Sequence, residues 1–290
     1  MKSLVLALAL LWAAPVPQKD TAQQKGPAQQ KGTEQKHAPE RKALERVVVV
    51  GASLSAGFGA DRRFVDVIDA SLRVPHQPPL GLGEELFFTD PLHFGARQAS
   101  AALDAEPTLL VALDFLFWFG YGDKDANGGP IEMESERLEL LEHGLKMLDE
   151  VECPLFVGDF PDMSASVGKM LSPAQMPSKT TLPLLSKRVR EWAAARKQTF
   201  VVPLSEIVTQ LHSTHAVQIG RHTFPEPARL LQEDQLHPTV DGLVAVAQLI
   251  CDQLVTAKLA RPEELELDLD AVMDKLHGRR IALPASTGPR

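Results

Sequence analysis

Val47-Val48-Val49-Val50-Gly51-Ala52-Ser53-Leu54-Ser55-Ala56-Gly57 decides the fold class of this chain. Four consecutive β-branched residues form a short apolar run with no alternation. That pattern suits a strand buried on both faces, as in the middle of a parallel sheet. The run empties into Gly51, and Gly57 follows six residues later, so a tight turn can form directly after the strand. Ser53 sits in that turn.

Three more runs of the same kind follow. They cover residues 109–113, residues 154–157 (ending at Gly158-Asp159) and residues 199–202 (ending at Pro203). Amphipathic stretches separate them. Residues 134–150 place Leu138, Leu141, Leu145 and Leu148 on one helical face, and residues 182–197 read as a second helix. Residues 239–259 carry Leu243, Val246, Ala247 and Ile250 at helical spacing. Thr239 is a competent cap for that last helix. Strands alternating with helices imply crossover units, and hence an α/β fold with a parallel sheet and helices on both faces. One such sheet accounts for residues 46–260 as one domain. In sheets of this kind the working groups gather on loops at the carboxyl ends of the strands. Ser53, Asp114 and Asp159 each follow a predicted strand there, and His237 precedes the last helix.

The flanks read differently. Residues 1–14 combine Lys2, an apolar run from Leu4 to Trp12 and the small pair Ala13-Ala14, the layout of a secretory signal. The run is short for a bilayer span, so no stable membrane span is expected once the signal is removed. The alternative is an uncleaved anchor. Residues 15–45 are rich in Gln, Lys, Pro and Gly, with Gln23-Gln24-Lys25-Gly26 nearly repeated at Gln29-Gln30-Lys31-Gly32. Too little apolar surface is available there to offset ordering entropy, which predicts a disordered linker. Residues 261–290 read as a tail with a short surface helix. The chain is therefore expected to be exported, to a secreted or periplasmic location.

The 290 residues carry a formal net charge of -8, with 23% charged and 44% hydrophobic residues. That balance is ordinary for a globular enzyme, and its mild acidity argues against nucleic acid as the main partner. Cys153 and Cys251 are the two cysteines. Both lie in apolar patterns and are read as free core thiols, without zinc-ligand spacing.

Asp234-Gln235-Leu236-His237-Pro238 sets a carboxylate three residues before a histidine. A serine hydroxyl is a poor nucleophile until a histidine takes its proton, and that histidine needs an acid to orient it and stabilise its cation. The chain thus supplies all three residue types in two short segments. Gly51-Ala52-Ser53-Leu54-Ser55-Ala56-Gly57, Gly95-Ala96-Arg97-Gln98-Ala99-Ser100 and Asp234-Gln235-Leu236-His237-Pro238 resemble three blocks of the SGNH (GDSL-type) hydrolase superfamily, in that family's order, over about residues 46–258. The resemblance implies a flavodoxin-like three-layer α/β/α sandwich that hydrolyses carboxylic esters through an acyl-enzyme, as an esterase, a lipase or a glycan deacetylase. It implies Ser53 as nucleophile, His237 as base and then acid, and Asp234 as the orienting carboxylate. The backbone N–H groups of Ser53 and Gly95 would face the oxyanion. The expected partner is a small-molecule, lipid or glycan ester, with no cofactor.

The sequence departs from the family pattern twice. Ala52 replaces the usual Asp before the serine. The family's Gly-x-Asn-Asp block is replaced by Ala112-Leu113-Asp114-Phe115-Leu116-Phe117-Trp118-Phe119-Gly120, which has no Asn. Asp114 standing in the oxyanion hole would offer an acceptor where a donor is needed. The alternative expectation is a binding protein on the same fold with impaired turnover. Finally, Asp123, Asp125, Asn127, Gly128 and Glu134 fit the spacing of a calcium loop. The same residue types also simply make turns.

Overall fold

A computed structural model of the chain describes residues 42–213 and 215–278. The predicted signal and all but the last few residues of the linker lie outside the described residues. The chain divides into two units, Met1–Glu40 and Arg41–Arg290. The second unit is the one described here.

Its chain order is β1 (Val47–Val49), α1 (Ser53–Ala56), α2 (Phe64–Ala70), β2 (Leu80–Gly81), α3 (Pro91–Asp104), β3 (Leu109–Ala112), α4 (Phe117–Tyr121), α5 (Glu134–Met147) and β4 (Leu155–Gly158). There follow α6 (Thr181–Ala194), β5 (Thr199–Val202), α7 (Leu204–Leu211), β6 (Val217–Ile219), β7 (His222–Phe224), α8 (Val240–Thr256) and α9 (Leu269–Gly278). Five strands pair in parallel in the order β2-β1-β3-β4-β5, and β6 and β7 make a separate antiparallel hairpin. This is the flavodoxin-like order, with helices on both faces, that the resemblance implies.

Alternation along the strands divides the core in two. Val47, Val49, Leu109, Val111, Leu113 and Phe156 face one layer, shared with α2, α7, α8 and α9. Val48, Val50, Leu110, Ala112, Leu155 and Val157 face the other, shared with α3, α4, α5 and α6. Both sides of each central strand are therefore dry, which is why these strands read as unbroken apolar runs. The order in which strands are added reverses between β1 and β3, since β2 lies to one side of β1 and the remaining strands to the other. The carboxyl ends at that reversal form the crevice where such folds bind ligands.

The folded region exceeds the predicted 46–260 at both ends. Leu44 is buried in the core. After residue 260, Leu265 and α9 complete one layer: Val272 and Leu276 are buried, and Lys275 Nζ donates to Ala70 O at 3.0 Å. The expected surface tail is thus a packed helix, because two aliphatic residues four apart fall on one face of it. Cys153 and Cys251 are both free and pack into opposite layers, and burial pushes their thiols up to about 11 and about 12. Among the described residues no helix is long and apolar enough to cross a membrane.

Candidate active site

Ser53 opens the short helix α1 immediately beyond β1, at the reversal point of the sheet. The turn that puts it there has a specific origin. Gly51 adopts φ +146, and a Cβ on it would collide with the Asp114 carboxylate and lie 2.6 Å from Ser55 Oγ. Gln98, reaching across from α3, clamps Gly51 from both sides: its Oε1 accepts from Gly51 N–H at 2.8 Å and its Nε2 donates to Gly51 O at 3.0 Å. Gly57 ends α1 in the left-handed region at φ +80. Ser53 itself is half-buried.

His237 stands on the loop before α8, whose start is capped by Thr239 Oγ1 accepting from Gly242 N–H at 3.2 Å. The ring is buried, and its Nδ1 lies 2.7 Å from Asp234 Oδ2. The other Asp234 oxygen accepts from Leu236 N–H at 2.9 Å and from His237 N–H at 3.0 Å. Burial pushes the Asp234 carboxyl up, but the His237 backbone, the His237 ring and the Leu236 backbone outweigh it, and the net result lies below the ordinary carboxylate range. Asp234 therefore stays ionised while it holds Nδ1 as a donor, which leaves Nε2 as the nitrogen that can accept a proton. The spacing of three makes this geometry local: the carboxylate folds back over its own turn, with Gln235 at φ +61 to close it.

Two further residues, without a motif of their own, fix the ring. Phe58, just past α1, packs against His237 with ring centroids 4.5 Å apart and the ring planes tilted by 39°. Gln232 Nε2 donates to Phe58 O at 2.8 Å and to Pro238 O at 2.9 Å, so it ties the serine segment to the histidine loop across 174 residues of chain. A lone glutamine and a lone phenylalanine give no sequence signal, because their role exists only when the two loops meet.

Asp114 borders the same cavity as Ser53, but its carboxylate is engaged by the serine turn. Its Oδ2 accepts from Leu54 N–H at 2.8 Å and Ser55 N–H at 3.3 Å, and its Oδ1 accepts from Ser55 Oγ at 2.6 Å. It holds the first turn of α1 from below, and burial raises its carboxyl above the ordinary range. Asp159 is likewise structural. It accepts from Ser205 N–H at 2.7 Å and Ser205 Oγ at 2.6 Å, and pairs with Arg190, so it anchors the start of α7.

Gly95 is displaced from its expected role. It is the fifth residue of α3, where the N–H belongs to the helix's own ladder; the preceding N–H, of Phe94, already reaches Asp90 O at 3.0 Å. A Cβ at Gly95 would lie 2.9 Å from Met147 Sδ and 3.0 Å from Phe119 Cζ. It is a packing glycine in the layer away from His237. The glycine that does approach the serine turn is Gly83, two residues past β2. A Cβ there would lie 2.7 Å from Ser55 Cβ and 2.9 Å from Ala56 N. Leu82 N–H and Glu84 N–H on either side bond to Val49 O and Gly51 O, while Gly83 N–H has no partner among the described residues. Its strand is two residues long and follows a proline-rich stretch, so no periodicity announced it.

The predicted calcium loop spends its Asp125 and Glu134 carboxylates within the fold. Asp125 Oδ1 accepts from Asn127 N–H at 2.9 Å and Gly129 N–H at 2.7 Å, an ordinary Asx-type turn. Glu134 turns away, accepting from Ser178 N–H at 2.9 Å and from Arg137 Nε at 3.3 Å. Asp123 and Asp125 thus lack the closing carboxylate, and no group of three or more potential metal ligands occurs among the described residues.

Ser53 and His237 line one cavity. Leu113, the residue after β3, stands on its wall beside them. No protein-family model and no curated protein matches the chain. Solved structures do resemble it in part. A gut microbial diltiazem-metabolizing enzyme is 17% identical with a TM-score of 0.48, over 73% of this chain and 47% of that one, so the chain spans about half of that protein's length. A psychrotrophic esterase from Pseudoalteromonas sp., in a form inhibited by monoethylphosphonate, is 14% identical with a TM-score of 0.44, over 74% of this chain and 100% of that one. A family 3 carbohydrate esterase from Clostridium thermocellum is 14% identical with a TM-score of 0.42, over 74% of this chain and 96% of that one.

Proposed function

We propose that this chain is a serine ester hydrolase working through an acyl-enzyme. The observation that carries the reading is the Asp234-held imidazole of His237 opening onto the same cavity as Ser53, at the sheet's reversal point. In this scheme His237 Nε2 takes the Ser53 hydroxyl proton as Oγ attacks the ester carbonyl carbon. The resulting imidazolium is stabilised by Asp234 and then protonates the departing alcohol oxygen. Water repeats the cycle on the acyl-serine, releasing the acid and restoring Ser53.

The negative oxygen formed on attack needs donors. Asp114 takes the N–H groups of Leu54 and Ser55, and the Ser53 N–H is left without a partner among the described residues. We assign the donors to the backbone N–H groups of Ser53 and Gly83. No redox cofactor is required. The signal-like amino terminus supports export, so that the substrate is met outside the cytoplasm. A second reading, a ligand-binding protein without turnover, is favoured by Leu113, which stands on the cavity wall and offers no side-chain donor.

One experiment separates the two. The purified protein is offered 4-nitrophenyl esters and, separately, a fluorophosphonate probe. The hydrolase reading expects stoichiometric labelling at Ser53. It also expects a loss of at least about 10³ in kcat for Ser53→Ala and of about 10⁴ for Asp234→Asn. Undiminished turnover in Ser53→Ala would remove the assigned nucleophile, and unlabelled Ser53 with saturable ligand binding would establish the binder.

A further inference from the structure

We infer that the cavity beside Ser53 is a binding site for an unbranched aliphatic acyl chain, so that the preferred substrate is a medium-chain acyl ester rather than an acetylated sugar. The inference rests on the serine-hydrolase reading for its chemistry, and on the cavity walls for its substrate.

Away from Ser53 the cavity is bounded by Ile207 and Leu211 of α7, Ile219 of β6, Leu230, and Ala245 and Val246 of α8. All six are buried aliphatic residues. The polar side chains that touch the cavity are already committed. Asp114 holds the α1 turn, Asp159 holds Ser205 and Arg190, and His237 Nδ1 holds Asp234. Only Ser53 Oγ and the second nitrogen of His237 are left to meet a ligand, and both are needed for the reaction. A sugar or other hydroxylated group placed here would lose its water and find no partner, a penalty that selects against it. An alkyl chain loses nothing polar and gains buried area.

The shape bounds the length. The cavity has a volume of about 90 Å³. A chain of several carbons can enter such a space, and its walls limit the length that is taken up. Each added methylene that enters should raise kcat/KM by about fourfold, and those beyond the end of the cavity should add nothing. The chain is assigned to the acyl side because the acyl group stays bonded to Ser53, which lines the cavity, while the alcohol departs.

The test is a length series with a fixed leaving group, 4-nitrophenyl acetate to 4-nitrophenyl dodecanoate, on the full chain. We expect kcat/KM to rise at least tenfold from acetate to an optimum at an intermediate length, then fall. Ala245→Leu fills the cavity and should lower the octanoate-to-acetate ratio at least tenfold. Ile219→Ala opens its wall and should move the optimum to longer chains. Opposite shifts from two core variants cannot both come from misfolding. Octanoate binding to the Ser53→Ala protein, read as a rise in melting temperature, gives a readout that needs no turnover. Octanoate binding without ester cleavage would keep the cavity assignment and remove the hydrolase reading. Acetate as the best substrate together with no octanoate binding would remove the cavity assignment and leave the hydrolase reading standing. A length dependence confined to the alcohol side of alkyl acetates would also overturn the acyl assignment.

Discussion

Asp114 shows how one buried carboxylate shapes the turn that carries Ser53. Its oxygens accept from the N–H groups of Leu54 and Ser55, and the Ser55 hydroxyl shares its one proton between Asp114 Oδ1 at 2.6 Å and Val50 O at 3.1 Å. Burial raises its carboxyl against those hydrogen bonds. An acid raised on folding retains a proton that the unfolded chain, near pH 3.9, has already released. Its contribution is therefore full below that pH and is lost as pH rises through the folded value. Asp114→Asn keeps an oxygen for the two N–H groups and a donor for Ser55 Oγ, yet has nothing to ionise. The stability of Asp114→Asn relative to wild type should therefore increase between pH 4 and pH 7. Urea denaturation at both values checks this, and a pH-independent difference would refute the account.

At the scale of elements, α5 and the loop before it behave as a structural joint. Arg137 is buried and donates to Gly120 O at 2.8 Å, Gly122 O at 2.7 Å and Ala174 O at 2.7 Å, so it fastens the end of α4 to the segment before α6. Glu134 completes this joint through Arg137 and Ser178, and its carboxyl lies below the ordinary range: burial raises it, while hydrogen bonds from Thr181 and Ser178 and the Arg137 charge prevail. That engagement removes the ligand a calcium loop needs at its last position. Millimolar calcium should accordingly leave the melting temperature unchanged, and a rise of several degrees, reversed by chelator, would restore a metal site there.

For the molecule as a whole, the last helix belongs to the same cooperative unit as the site. Val272 and Leu276 of α9 are buried against the layer that contains α2 and α8, and Leu276 O accepts from Arg62 Nη2 at 2.8 Å. Deleting the chain from Leu269 onward should cost about 3–6 kcal/mol, from two aliphatic side chains at about 1.5–3 kcal/mol each. Urea unfolding of the shortened protein measures this, and an unchanged midpoint would mean that α9 adds nothing to the core.

Most of the sheet was legible because buried parallel strands are written as unbroken aliphatic runs: β1, β3 and β5 lie within predicted stretches and β4 runs one residue past its own. β2 and α7 were not, since a two-residue strand has no period and α7 follows β5 after a single residue. The Asp234–His237 pair was legible because it is local; three residues of spacing close it within one turn. The role expected of Gly95 was misplaced because a glycine's purpose depends on what it touches, and Gly95 touches Phe119 and Met147 while Gly83 touches the serine turn.

By itself, then, the order of residues determined the alternation of strands and helices, the serine after the first strand and the acid–histidine turn near the end, all of them properties of neighbours along the chain. Tertiary structure alone decided that Asp114 supports the turn, that Gln232 joins two loops 174 residues apart and that six aliphatic side chains enclose a cavity beside Ser53. Those features arise where separate elements pack together, and contacts of that kind leave no periodic trace in the sequence.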